Sequence, residues 1–222
     1  MTYSRDERRA LCALLDETGP DAPTLCEGWT TLDLAAHLVL REHRPDAGLG
    51  LLGGPLARYT AHVQSKIAGR VPYARLVQII RDGPTRFSMF AIPGMDERAN
   101  LVEYFVHHED VRRAAPGWEP RELDPELAEQ LWQRLRLPTT RLILRKVPVG
   151  VEFARSDVDG DDANGPQRRL RITIRNGTPV VTVVGSPAEL TLWTFGRTTA
   201  AQVRLDGAEK PVKALSEAHW RL

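Results

Sequence analysis

The hydrophobic period of the chain changes once, near Pro148. Before that point apolar residues recur every three or four positions, the spacing of helices buried on one face. After it they alternate, the spacing of strands. Such a chain is expected to fold as a helical bundle followed by a small α+β domain. The boundary is expected between residues 146 and 147, giving a bundle over 1–146 and an α+β domain over 147–222. A length of 222 residues, 42% of them hydrophobic, is enough for both cores.

Local signals place the elements. Ser4-Arg5-Asp6-Glu7 has the spacing of a capping box, and Leu11, Leu14 and Leu15 continue an apolar stripe to Gly19-Pro20. After a loop at 20–29, Thr30 is placed to cap a second helix, with Asp33 in its first turn. Leu34, His37, Leu38 and Arg41 then share one face. The GLGLLGG run at 48–54 is a turn and lacks the order of a phosphate loop. Helices are expected at 55–67 and 73–81, then an irregular stretch between Gly83-Pro84 and Pro93-Gly94. A longer helix is expected from Asp96 to Ala115, with Asp96 and Glu97 at its positive end and Arg112 and Arg113 answering its negative end. Asp124-Pro125-Glu126 starts another helix, which stops near Pro138, and a short helical piece follows through Arg145. Beyond the period change, strands are expected at 149–155, 169–175, 179–185 and 201–207. A polar turn at 156–166 joins the first two, and Asn176-Gly177 is a hairpin signal between the second and third. Ser186-Pro187-Ala188-Glu189 opens a helix, and 209–218 forms the last one.

Charge and composition exclude several classes. The net charge of +1 and the lack of a basic stripe argue against a nucleic-acid partner. No run of 18 apolar residues exists, and the charged N-terminus lacks a signal-peptide pattern, so a cytoplasmic protein with no membrane partner is expected. Cys12 and Cys26 form no CxxC pair and are expected to be free thiols, which excludes a structural zinc built on cysteine. Nothing in the sequence places a base beside either thiol. Of 30 basic residues only four are lysine, a bias that suggests a GC-rich bacterial source.

Six histidines are present, and one stands out by its spacing. Glu103 and His107 are four apart on the long helix, which puts a carboxylate and an imidazole on one face. Two such ligands need a third from another helix, and His37, on the inward stripe beside Leu34 and Leu38, is the best placed. The pair also fits a surface salt bridge, and a histidine among leucines also fits a satisfied core residue. Two histidines and one carboxylate would leave coordination positions open, which is a catalytic pattern. Zinc suits this donor set, and iron(II) or nickel would as well. His108 points elsewhere, whereas Asp110 is placed to hold the free ring nitrogen of His107. Trp29 and Trp193 are read as core or domain-contact residues.

The run CEGWTTLDLAAHLVLRE at 26–42 resembles the hallmark segment of the mycothiol-dependent maleylpyruvate isomerase group, within the DinB-like superfamily. VEYFVHHEDVRRA at 102–114 resembles its second motif, and DPELAEQLW at 124–132 its last bundle helix. GSPAELTLWTFGR at 185–197 resembles the C-terminal domain of the same group, which is related to the sterol-carrier-protein-2 (SCP2-like) fold. The resemblance implies a DinB-like up-down four-helix bundle followed by a small SCP2-like α+β domain. It puts His37, Glu103 and His107 on the metal-binding positions and Arg197 where relatives carry an arginine able to bind a substrate carboxylate. It implies a divalent metal, commonly zinc, and mycothiol as thiol cosubstrate. The expected activity is a mycothiol S-transferase or isomerase acting on a small electrophile, in a monomer or homodimer. A non-catalytic metal- or small-ligand-binding protein is the alternative. The substrate itself is not readable.

Overall fold

A computed structural model describes residues 2–48, 50, 54–84, 95–157 and 170–220, the side chains of 45, 48 and 95–99 excepted. The chain divides into two compact units, Met1–Pro120 and Arg121–Leu222. No helix among the described residues is long and apolar enough to cross a membrane. The glycine-rich turn at 48–54, the irregular stretch after Pro84 and the polar turn at 156–166 fall largely outside the described residues.

The first unit is helical: α1 (Tyr3–Thr18), α2 (Thr31–His43), α3 (Pro45–Gly48), α4 (Ala57–Arg70), α5 (Tyr73–Asp82) and α6 (Met95–Arg112). Helix α1 packs on α5 and α6, and α2 packs on α4 and α5. Leu11 and Leu15 of α1, Leu34 and Leu38 of α2, Leu76 and Ile80 of α5, and Tyr104 and Val111 of α6 share one core. Each fully buried leucine contributes roughly 1.5–3 kcal/mol relative to an exposed one. Helix α2 starts as its sequence requires: the Asp33 carboxylate accepts from the Thr30 amide at 3.0 Å, closing a capping box. Helix α1 does not. It begins at Tyr3 without a side-chain cap. Ser4 is buried inside the helix, and Glu7 turns away from the helix start to meet His108 at 2.8 Å. The expected Ser4–Glu7 capping box therefore does not form, because burial of Glu7 against a histidine outweighs a local bond at a solvated terminus.

The second unit comprises α7 (Pro125–Leu135), α8 (Pro138–Ile143), a 3-10 turn (Leu144–Lys146), β1 (Gly150–Arg155), β2 (Arg171–Arg175), β3 (Val180–Gly185), α9 (Pro187–Thr194), β4 (Arg204–Asp206) and α10 (Glu209–Ser216). The sheet order is β2-β1-β3-β4, with β1 antiparallel to β2 and parallel to β3, and β3 antiparallel to β4. Strand β1 thus lies between β2 and β3, and the expected β2–β3 hairpin is absent. Asn176-Gly177 instead carries the chain across the start of β1. There Gly177 lies so close to Gly150 that a Cβ on Gly150 would stand 2.5 Å from the Gly177 carbonyl oxygen. Asp124 and Ser186 cap α7 and α9 as their sequences indicate, each followed by proline.

The units divide at 120/121, earlier than the change of period. Helix α7 is the reason. Its Trp132 and Leu135 join Leu144, Val151, Phe153, Leu190 and Trp193 in the core of the second unit. Periodicity marks α7 as helical, but only packing decides which core it serves. The segment 124–132, expected as the last bundle helix, packs instead against α9.

A candidate metal centre between two helices

The two helices that carry the expected ligands hold them at one point. His37 comes from the middle of α2, and Glu103 and His107 from successive turns of α6. The Oε1 atom of Glu103 lies 3.2 Å from His37 Nε2 and 3.3 Å from His107 Nε2. One donor atom from each of the three residues lies within 4.8 Å of the others. The two imidazoles meet edge-on, with ring centres 5.2 Å apart and planes at 70°. Trp29 closes one side, its ring centre 5.2 Å from that of His37.

Both imidazole contacts are longer than the roughly 2.7–2.9 Å of a well-made charge-assisted hydrogen bond. They match a different geometry. Ligands on a tetrahedral cation with bonds of about 2.0–2.1 Å stand about 3.3 Å apart. Among the described residues the buried Nδ1 atom of His37 has no hydrogen-bond partner, so the polar contact of this ring is the one its Nε2 makes with Glu103. Two imidazole nitrogens and one carboxylate oxygen are also the donors a borderline divalent cation takes. The residues present therefore fit such an ion.

Electrostatics act in the same direction at two of the three residues. Burial pushes the His37 pKa down, outweighing the contact with Glu103, and favours the neutral ring that a cation requires. Burial alone would raise the Glu103 pKa. The Arg41 guanidinium and the two imidazoles more than reverse this, holding the carboxyl well below its ordinary range. His107 behaves oppositely to His37. Burial disfavours its proton, but Asp110, Cys26 and Glu103 together raise its pKa well above the ordinary value.

The Nδ1 of His107 lies 2.8 Å from Asp110 Oδ2, and Asp110 is fully buried. This is the orienting carboxylate expected three residues on, and it directs Nε2 toward Glu103. His108 faces away, as its position on the helix requires, and bonds Glu7. Arg112 and Arg113 do more than complement the helix end: both bond the buried Glu109, and Arg113 stacks over Trp118, 4.6 Å from the ring centre.

Three contributors were not legible as site residues. Arg41 places its Nε 3.3 Å from Glu103 Oε1. Asn100 accepts from the same guanidinium. The Cys26 thiol donates to Asp110 Oδ2 at 3.3 Å, so Cys26, His107 and Asp110 form a second overlapping group of donors. Arg41 had a signal, since it lies one turn from His37. Cys26 had none, because it reaches Asp110 through the 20–29 loop. That loop is held by Leu25 N to Asp110 O at 3.0 Å and by Thr24 Oγ1 to Trp29 O at 3.0 Å. Arg197 lies in the second unit, after α9, where its Nη1 donates to the Phe195 carbonyl at 2.5 Å. Trp193 is a core residue of that unit, edge-on to Phe153 at 5.8 Å. Both cysteines are free thiols.

Residues 2–70 match the mycothiol maleylpyruvate isomerase N-terminal domain. The matched stretch includes α1, α2 and α4, and with them His37 and Arg41. It supports the family resemblance carried by the 26–42 motif. Glu103 and His107 lie beyond the matched residues and are tied to that domain by their position against His37. Searches of curated proteins and of solved structures return no match to the chain.

Proposed function

We propose that the first unit holds a divalent cation on His37, Glu103 and His107, and that the protein uses it in mycothiol-dependent S-transfer to a small electrophile or isomerisation of one. The observation that carries this reading is the convergence of both Nε2 atoms on one carboxylate oxygen at 3.2 and 3.3 Å. The match of residues 2–70 to the mycothiol maleylpyruvate isomerase N-terminal domain supports the choice of thiol. Zinc is the proposed metal, the DinB-like bundle and SCP2-like domain are the proposed folds, and the cytoplasm is the proposed compartment.

A cation in this position supplies Lewis acidity, which lowers the pKa of a thiol brought to it. The chain supplies the rest. Asp110 fixes the tautomer and direction of His107. Arg41 keeps Glu103 ionised and directed inward. Trp29 shields His37 from water on one face. Arg197 is proposed to hold a substrate carboxylate by a two-point contact.

Metal analysis of the purified protein, paired with a thiol-conjugation assay using mycothiol and a generic electrophile, tests the reading. The wild type is expected to hold about one divalent ion per chain by the three-ligand argument. His37→Ala and His107→Ala are expected to lose both ion and turnover. Turnover that survives loss of the ion rejects the mechanism, and a bound ion without turnover leaves a metal-binding protein.

A further inference from the structure

The Glu103 carboxylate is not held by its two histidines alone. Arg41 Nε reaches its Oε1 at 3.3 Å, and Arg41 Nη1 donates to the side-chain carbonyl oxygen of Asn100. The amide nitrogen of Asn100 donates in turn to Glu42 Oε1 at 3.2 Å. The same Glu42 oxygen accepts from Arg8 Nη2 at 2.9 Å and from the Tyr104 hydroxyl at 2.6 Å. Asn100 and Tyr104 are fully buried, and Glu42 is nearly so.

This arrangement has a direction. A buried carboxylate only accepts, so Glu42 must receive the amide nitrogen of Asn100. That fixes the amide, and its oxygen is turned toward α2, where it accepts from Arg41. The guanidinium is then held at two points, one on Asn100 and one on Glu103, each a turn apart on α6. A planar fork suits this double contact, and a lysine ammonium does not.

We propose that Arg41 is a positioning residue, and that the buried relay Glu42–Asn100–Arg41 sets the orientation in which Glu103 is offered to a cation. This rests on the metal-centre reading above and adds a determinant outside the three ligands. Arg41 is poorly suited to be a simple aid to cation affinity, since its own charge repels a divalent ion. Beyond keeping Glu103 ionised, its contribution is geometric: it holds one carboxylate oxygen in the position both imidazoles face.

The test uses cobalt(II) as probe, because its visible absorption reports coordination geometry. Affinity is measured by chelator competition, and folding by circular dichroism and thermal midpoint. Asn100→Ala and Arg41→Lys are both expected to weaken cobalt affinity roughly 10–100-fold, the usual effect of losing a group that orients a ligand, and to alter the spectrum. Arg41→Lys keeps the charge and occupies a partly exposed position, so it serves if Asn100→Ala does not fold. An affinity within about twofold of wild type, with an unchanged spectrum, overturns the relay while leaving the metal centre intact. A wild type that binds no cobalt overturns both. Rescue of affinity and spectrum by Arg41→Lys alone assigns Arg41 a charge role and also rejects the positioning argument.

Discussion

Removing Glu42 from its buried pair with Arg8 should bring the first unit close to unfolding, removing Arg8 should cost less, and removing both together should cost less than the sum of the two. The pair is 2.9 Å long and its side chains are 8% and 2% exposed, so water screens it poorly. Glu42→Leu removes the carboxylate that faces the buried Arg8 guanidinium at 2.9 Å, about 3–5 kcal/mol for a broken buried pair. It also strips an acceptor from Asn100 and Tyr104, a further ~1–3 kcal/mol each before relaxation. Against a total stability of about 5–15 kcal/mol, that variant is marginal. Arg8→Met leaves Glu42 with two neutral donors and should cost about 3–4 kcal/mol, part of it from the lost stacking of Arg8 on Tyr104, 4.7 Å from the ring centre. In the double variant neither charge of the pair remains, and a coupling of about 2–3 kcal/mol is expected. Two compact units make a single unfolding transition an unsafe measure. Hydrogen exchange of α1 and α6 amides in increasing urea isolates the unit concerned. Single variants that each cost under about 1 kcal/mol, the worth of a solvated surface pair, would show that the network is hydrated and refute the reasoning.

Two other perturbations follow from specific contacts. Burial pushes the Cys12 thiol from 9.0 up to about 11, so the folded protein keeps it protonated at a pH where the unfolded chain ionises it. Its contribution is complete below about pH 9 and is lost as pH rises toward 11, by about 3 kcal/mol, and a Cys12→Ala variant should show a shallower fall in stability over that window. Native Cys12 should also resist iodoacetamide at pH 8 while the less buried Cys26 reacts, and equal labelling of the two would contradict its burial. In the second unit, Gly150→Ala places a Cβ 2.5 Å from the Gly177 carbonyl oxygen, a backbone atom that cannot swing aside. A loss of about 1–3 kcal/mol is expected, read as faster exchange of β1 and β3 amides, and a neutral effect would mean that the turn over β1 is not held as described.

Local chemistry made part of this structure legible. The Thr30–Asp33 box, the Asp124-Pro125 start and the Ser186-Pro187 start each form because cap, proline and acid act within one turn of backbone. The pairing of Glu103 with His107 follows from helix geometry alone, and the place of Asp110 follows with it. What failed was whatever depended on a distant partner. Glu7 has the spacing of a capping residue but is drawn to His108, 101 positions away. Asn176-Gly177 is a good hairpin turn, yet β1 claims the edge of both neighbouring strands, and a turn signal carries no information about a third strand. Helix α7 could be assigned to a core only by knowing that Trp132 lies among the strands. Cys26 reaches the centre because a backbone bond from Leu25 anchors its loop to Asp110.

The same distinction bears on why α6 is built as it is. Asn100, His107, His108, Glu109 and Asp110 are all nearly or fully buried on this one helix. A helix enclosed on several sides is ordinarily apolar, because each buried charge carries a desolvation cost that its partner only partly offsets. Here several of them are answered from different directions: Glu7 on α1 for His108, Cys26 on the loop for Asp110, Arg41 on α2 for Asn100 and Glu103, while Glu109 is paired locally with Arg112 and Arg113. Apolar packing would hold the helix in place but tolerate small rotations and slips. Directional bonds to α1, α2 and the loop do not, since a rotation that keeps one breaks another. The proposed centre, whose three donor atoms must agree within a few tenths of an ångström, would need that constraint, and the buried polar groups of α6 are the physical means by which this chain would supply it.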